Sequence, residues 1–141
     1  MSAIRYLHLL SETPPSALST SPFKCMFVAD RAVSTEWRNE IAEWIVRSGC
    51  LYFVAWGEDC ERWHDSVDEA NLSEFGWGTI PDDRFVMTTW HQKDTLAEAM
   101  WFAAHAAEHP TVELANTIIA HVDDDERGDE LLDVYRSALS A

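Results

Sequence analysis

Basic residues are scarce in this chain. Ten lysines and arginines stand against 25 aspartates and glutamates, for a formal net charge of −15. That balance repels phosphates, which argues against nonspecific binding to nucleic acid or to an anionic membrane. Cysteine is nearly as scarce. Cys25, Cys50 and Cys60 are odd in number, and their spacing makes neither a C-x-x-C pair nor a zinc pattern. Cys25 and Cys50 fall at apolar runs and are expected to be buried thiols, which fits a reducing cytoplasm. No apolar run approaches the length of a membrane span. Met1–Leu10 contains Arg5 and His8 with no small-residue cleavage site after it, so it does not read as a signal peptide. Glycine is limited to five positions, and none of them builds a phosphate loop. The segment where G-x-G-x-x-G would stand is Asp30-Arg31-Ala32-Val33-Ser34, and Gly76-Trp77-Gly78 is too short for the role. A Walker A lysine and a G-x-S-x-G elbow are also missing.

What is present is a fourfold alternation. The apolar runs Phe23–Ala29, Leu51–Ala55, Phe85–Thr89 and Thr117–Val122 are separated by segments with helical spacing. This predicts an α/β domain: a small Rossmann-like, three-layer architecture with about four parallel strands and alternating helices. Its 141 residues, 47% apolar, suit one core. Residues 1–22 read as an N-terminal arm and linker, with Ile4–Leu10 either an edge strand or an arm and Ser11–Pro22 irregular; residues 23–141 read as the single domain. Ser34 or Thr35 is expected to cap a helix to about Ser48, with Trp37, Ile41, Trp44 and Ile45 on its buried stripe. Asp59 is placed to cap a second helix to about Ala70, and Thr95-x-x-Glu98 forms a capping box for a third that Pro110 ends. Trp37, Ile41, Trp44, Leu51, Phe53, Phe85, Leu96 and Ile119 are expected to be largely buried.

In open parallel sheets, ligands bind beyond the carboxyl ends of the strands, near the point where strand order reverses. Four loops then matter. They offer Asp30; Trp56 with Glu58 and Asp59; Thr88-Thr89-Trp90-His91; and His121 with Asp123. With the four runs ordered 2-1-3-4, Asp30 and His91 would be neighbours, and a carboxylate beside an imidazole can hold a metal or orient a general base. Asp30 and His91 are therefore the candidate catalytic pair, and Asp30, Asp59, Thr89, Trp90 and His91 the candidate ligand-binding set. No metal ligand and no cofactor is assigned.

The third helix has two unlike faces. Leu96, Met100, Ala103 and Ala107 share one side, where small residues allow close packing on a sheet. Trp101, Phe102 and His105 fall towards the other, and burying such aromatics is worth about 2 kcal/mol each. They are the candidate interface, to be covered by a second copy, a partner or the N-terminal arm. The same helix carries His105-Ala106-Ala107-Glu108-His109, which matches the H-x-x-E-H zinc motif of inverzincin peptidases. It lies in a last turn before Pro110, with little chain after it for a third ligand, so a catalytic zinc is not expected there.

The segment Met87-Thr88-Thr89-Trp90-His91, the helix with Trp101-Phe102 and His105, and Ile118-Ile119-Ala120-His121-Val122 together resemble an uncharacterised bacterial domain family of unknown function. The resemblance extends over Phe23–Asp30. It implies a stand-alone bacterial cytoplasmic protein and carries over no catalytic residue. The expectation for function is a small acidic protein-binding module, inhibitor- or immunity-like, acting on a protein partner or through self-association, with no nucleic acid or membrane partner. The alternative is an enzyme or small-ligand binder using Asp30, Thr89 and His91.

Overall fold

The four apolar runs become parallel strands, and a fifth strand joins them. The structure is a computed structural model that describes residues 3–16, 18 and 22–141. In chain order the elements are β1 (Ala3–Leu9), β2 (Phe23–Ala29), α1 (Thr35–Arg47), β3 (Cys50–Gly57), α2 (Cys60–Glu74), β4 (Met87–Trp90), α3 (Leu96–His105), β5 (Asn116–Val122) and α4 (Gly128–Ser140). The sheet runs β1-β5-β2-β3-β4 with every neighbouring pair parallel. The segment left open between arm and edge strand is thus an edge strand, in register with β5 from Ala3 opposite Asn116 to Leu9 opposite Val122. Part of the Ser11–Pro22 linker lies outside the described residues.

Side chains alternate across a strand, so each strand feeds two cores. Cys25, Phe27, Phe53, Ala55, Ala120 and Val122 pack on one face with Trp37, Ile41, Ile45, Trp63 and Val67 of α1 and α2. Met26, Val28, Val54 and Ile119 pack on the other with Met100, Ala103, Leu131 and Tyr135 of α3 and α4. Because the central strands are covered on both faces, they read as continuous apolar runs rather than alternating ones.

The caps follow the sequence closely. Ser34 accepts a hydrogen bond from the Trp37 amide, and Thr95 and Glu98 make both halves of the capping box. Differences arise at element ends. Phe85, expected in the core, is 45% exposed. A 3-10 turn over Asp82–Arg84 delays the strand, and Val86 takes the buried position, its amide held by Asn71 Oδ1 at 2.9 Å. Trp44 and Leu96 are half-buried rather than buried. Helix α2 continues four residues past Ala70, whereas α3 stops at His105. Gly57 closes β3 against β2: its φ is +104°, and a Cβ there would meet the Ala29 carbonyl oxygen at 2.1 Å. Among the described residues, no helix is long and apolar enough to cross a membrane.

Candidate functional site

From β2 the chain moves through β3 to β4 with α1 and α2 on one face, then returns along α3 on the other face to place β5 on the far side of β2. Strand order therefore reverses between β2 and β5, and the carboxyl ends of these two strands flank the crevice. Asp30 follows β2, and His121 and Asp123 lie at the end of β5. The 2-1-3-4 order that would set Asp30 beside His91 is not adopted, because β3 stands between β2 and β4.

The partner of Asp30 is His121. Its Nε2 lies 2.6 Å from Asp30 Oδ2, and its Nδ1 lies 2.7 Å from the Tyr6 hydroxyl. The ring is fully buried, in register with His8 of β1 and Val28 of β2. A carboxylate only accepts, so His121 donates from Nε2 to Asp30. Tyr6 then donates to Nδ1 while accepting from the Arg127 amide at 3.2 Å. The Arg127 guanidinium donates to both Asp30 and Glu130. Burial works against its charge, but those carboxylates outweigh burial and raise its pKa. Burial likewise pushes the Tyr6 hydroxyl up, against the opposing pull of the Arg127 amide. Asp123 Oδ2 lies 3.8 Å from both His121 Nε2 and Arg127 Nε. Its Oδ1 accepts from the Asp124 amide at 2.8 Å, and its carbonyl from His8 Nε2 at 2.8 Å. Tyr6 reaches this crevice because Gly128 begins α4, where a Cβ would come within 2.8 Å of the Tyr6 ring.

His91 belongs to a separate, local arrangement. Its Nδ1 donates to Asp94 Oδ2 at 2.8 Å, and its Nε2 lies 3.0 Å from Thr89 Oγ1. Phe102 packs on the ring with 4.7 Å between centroids. Trp90 turns outward against His64, while Trp56 donates to the Asp94 carbonyl. Asp59 is in the left-handed region at φ 56° and caps α2 by position only, without a side-chain bond. It lines an acidic cleft of about 490 Å³ with Gly57, Glu58 and Gln92. Of the candidate set, only Thr89 and His91 bond to one another through their side chains; Asp30 bonds to His121 instead, and Asp59 lines the cleft beside Gln92.

The three candidate interface residues also part ways. Trp101 is 48% exposed. Phe102 turns inward onto Tyr52 and His91, and His105 donates to the Ala138 carbonyl at 2.7 Å, tying α3 to α4. Trp101 is not covered by the N-terminal segment, which is occupied as β1 on the sheet edge. It lines instead an open groove of about 550 Å³ between α3 and α4, together with Ala97, Glu98, Asp133, Val134 and Ala138. His109 lies four residues past the end of α3, so the H-x-x-E-H residues share no helix face. Its Nε2 donates to the Phe85 carbonyl, and its Nδ1 accepts from the amides of Thr111 and Val112. It holds a loop.

One family model matches residues 4–138, nearly the whole chain: the domain of unknown function DUF7684. The chain belongs to that family. Comparison with curated proteins and with solved structures returns no match. The DUF7684 assignment agrees with the resemblance carried by the Thr88–His91 segment and adds no catalytic residue to it. Sequence reasoning placed His121 and Asp123 among the strand-end loops but did not single them out, and it missed Tyr6 and Arg127 altogether. No local signal marks them, since Tyr6 and Arg127 are brought together only by the pairing of β1 with β5.

Proposed function

We propose that this protein is an acidic protein-binding module whose contact surface is the groove between α3 and α4. The partner it fits is a segment with an apolar face flanked by lysine or arginine. The observation that carries the reading is the half-exposed Trp101 in a groove lined also by Ala97, Ala138, Glu98 and Asp133. Small lining residues admit a bulky apolar side chain. Trp101 offers a large, stiff contact of the kind that dominates binding energy, and the two carboxylates select positive flanks. The net charge of −15 extends that preference over the molecule. It also disfavours a second copy as the occupant, because acidic residues would oppose acidic residues. Inhibition of a basic partner, as by an immunity protein, suits such a surface. Three free, buried cysteines suit a reducing compartment such as a bacterial cytoplasm.

The test is titration of the protein with a synthetic amphipathic helix of leucine and lysine, and with its leucine–glutamate counterpart, followed by calorimetry. The lysine peptide should bind, weaken as salt rises, and lose at least about tenfold in affinity with Trp101→Asp, corresponding to about 1.4 kcal/mol. Binding unaffected by Trp101→Asp, or equal binding of both peptides, would overturn the reading. Sedimentation of the free protein completes the test: a dimer that Trp101→Asp dissociates would put a second copy in the groove instead.

A further inference from the structure

The groove on α3 and α4 makes no use of the crevice between β2 and β5, yet that crevice holds the most elaborate polar arrangement described above. We infer that Asp30, His121 and Asp123 form a divalent-metal site of imidazole–carboxylate type, closed in the metal-free protein by Arg127. One ligand atom from each residue lies within 4.8 Å of the other two, close enough to converge on one ion after small side-chain rotations. Two of the three are carboxylates, but the third separates this group from an ordinary acidic surface cluster. His121 is fully buried in the central sheet, and its Nε2 faces both carboxylates.

The groups behind the ligands suit the same role. A ligating histidine needs its second nitrogen held, which fixes ring orientation. Here the Tyr6 hydroxyl does this at 2.7 Å. A hydroxyl can both donate and accept, so it serves either tautomer. With Arg127 in place, His121 carries its proton on Nε2 for Asp30, and Tyr6 donates to Nδ1. With a metal on Nε2, the imidazole proton sits on Nδ1 and is donated to the Tyr6 oxygen, which also keeps the Arg127 amide; the phenolic hydrogen turns towards the open cleft that Tyr6 lines with Glu126, Asp129 and Leu132. Asp123 is held by the Asp124 amide through its other oxygen and by His8 at its carbonyl, which leaves Oδ2 facing His121 and Arg127 at 3.8 Å, able to ligate once Arg127 withdraws.

Arg127 is the resident cation. It neutralises Asp30 in the absence of metal, and Glu130 provides the acceptor to which it can withdraw. An imidazole nitrogen with two carboxylate oxygens favours zinc, cobalt, nickel or manganese over calcium or magnesium, and the absence of thiolate disfavours copper(I).

The experiment is titration of untagged, chelator-treated protein with Co²⁺ and Zn²⁺, followed by visible absorption and calorimetry. Wild type should bind one ion per chain. Asp123→Asn should weaken binding at least tenfold without loss of the folded circular-dichroism spectrum. Arg127→Ala should tighten it at least tenfold, because the competing cation is gone. Asp94→Asn, which touches only the His91 pair, should change nothing. Absence of one-to-one binding in both wild type and Arg127→Ala, or binding that survives Asp123→Asn and Asp30→Asn, would overturn the inference.

Discussion

Two histidine–aspartate pairs sit at the same end of this sheet, and they were assembled in different ways. His91 and Asp94 are three residues apart, in the turn between β4 and α3, and the Asp94 side chain is 42% exposed. His121 and Asp30 are 91 residues apart, joined by the pairing of β5 with β2, and the His121 ring is sealed from solvent. The first pair belongs to a turn. The second is the hub of a network that ties β1, β2, β5 and the start of α4 together through Tyr6, Asp30 and Arg127. Chemical resemblance between two pairs therefore says little about their weight, whereas the range of chain they connect says much.

The largest effect is expected away from both pairs, at the start of β3 in the core under α1 and α2. Burial pushes the Cys50 thiol up to about 12 from an ordinary value of 9.0. Above pH 9 the unfolded chain releases this proton while the folded chain keeps it. Stability from this group is thus complete below about pH 9 and falls as pH rises towards 12, by about 1.4 kcal/mol per unit. Urea denaturation at pH 8, 10 and 11 should show that decline, and Cys50→Ala should lessen it, the buried Cys25 thiol, also pushed up by burial, keeping part of it. Next comes His121→Ala, which leaves the Tyr6 hydroxyl and Asp30 without their shared partner and opens a void. A loss of about 3 kcal/mol by urea denaturation at pH 7 is expected. A loss no larger than that of His91→Ala would break the comparison. Gly128→Ala tests the same network without touching its polar atoms. The added methyl drives the Tyr6 ring away from its seat on α4 and should cost about 2 kcal/mol. The smallest effect belongs to His91→Ala, about 1 kcal/mol, since a partly exposed pair contributes little beyond the ring's packing on Phe102.

The same contrast explains what was legible in the sequence. Ser34, the Thr95–Glu98 box and the strand cores of β2, β3 and β5 are local features, written in spacing and residue type, and they stand as read. Phe85 and the end of α3 depended on contacts from afar: Asn71 fixes Val86 and His109 holds the Phe85 carbonyl. Apolar character alone could not tell Phe85 from Val86. Asp30 was recognisable as a strand-end carboxylate, but its partner depended on strand order. Hydrophobic runs show that strands exist, and a run buried on both faces says nothing of which neighbours it takes. Thus the edge carrying the site could be drawn from the sequence, and the pairing across it could not.

Strand β1 gives this architecture a timetable. It precedes the other four strands of the sheet in the chain, yet among the described residues its partner is β5, whose Asn116 pairs with Ala3. At ribosomal speeds of about 5–20 residues per second, roughly 6–23 seconds separate their appearance. During that interval β2 and β3 can pair and collect α1 and α2, while the native partner of β1 is still missing. The β2 edge awaiting β5 is open over the same period. Tyr6 cannot meet His121, nor Asp30 meet Arg127, until the last sixth of the chain has been made. A chain cut short before β5 lacks Ile119, Leu131 and Tyr135 from the second core, and with them the crevice between β2 and β5.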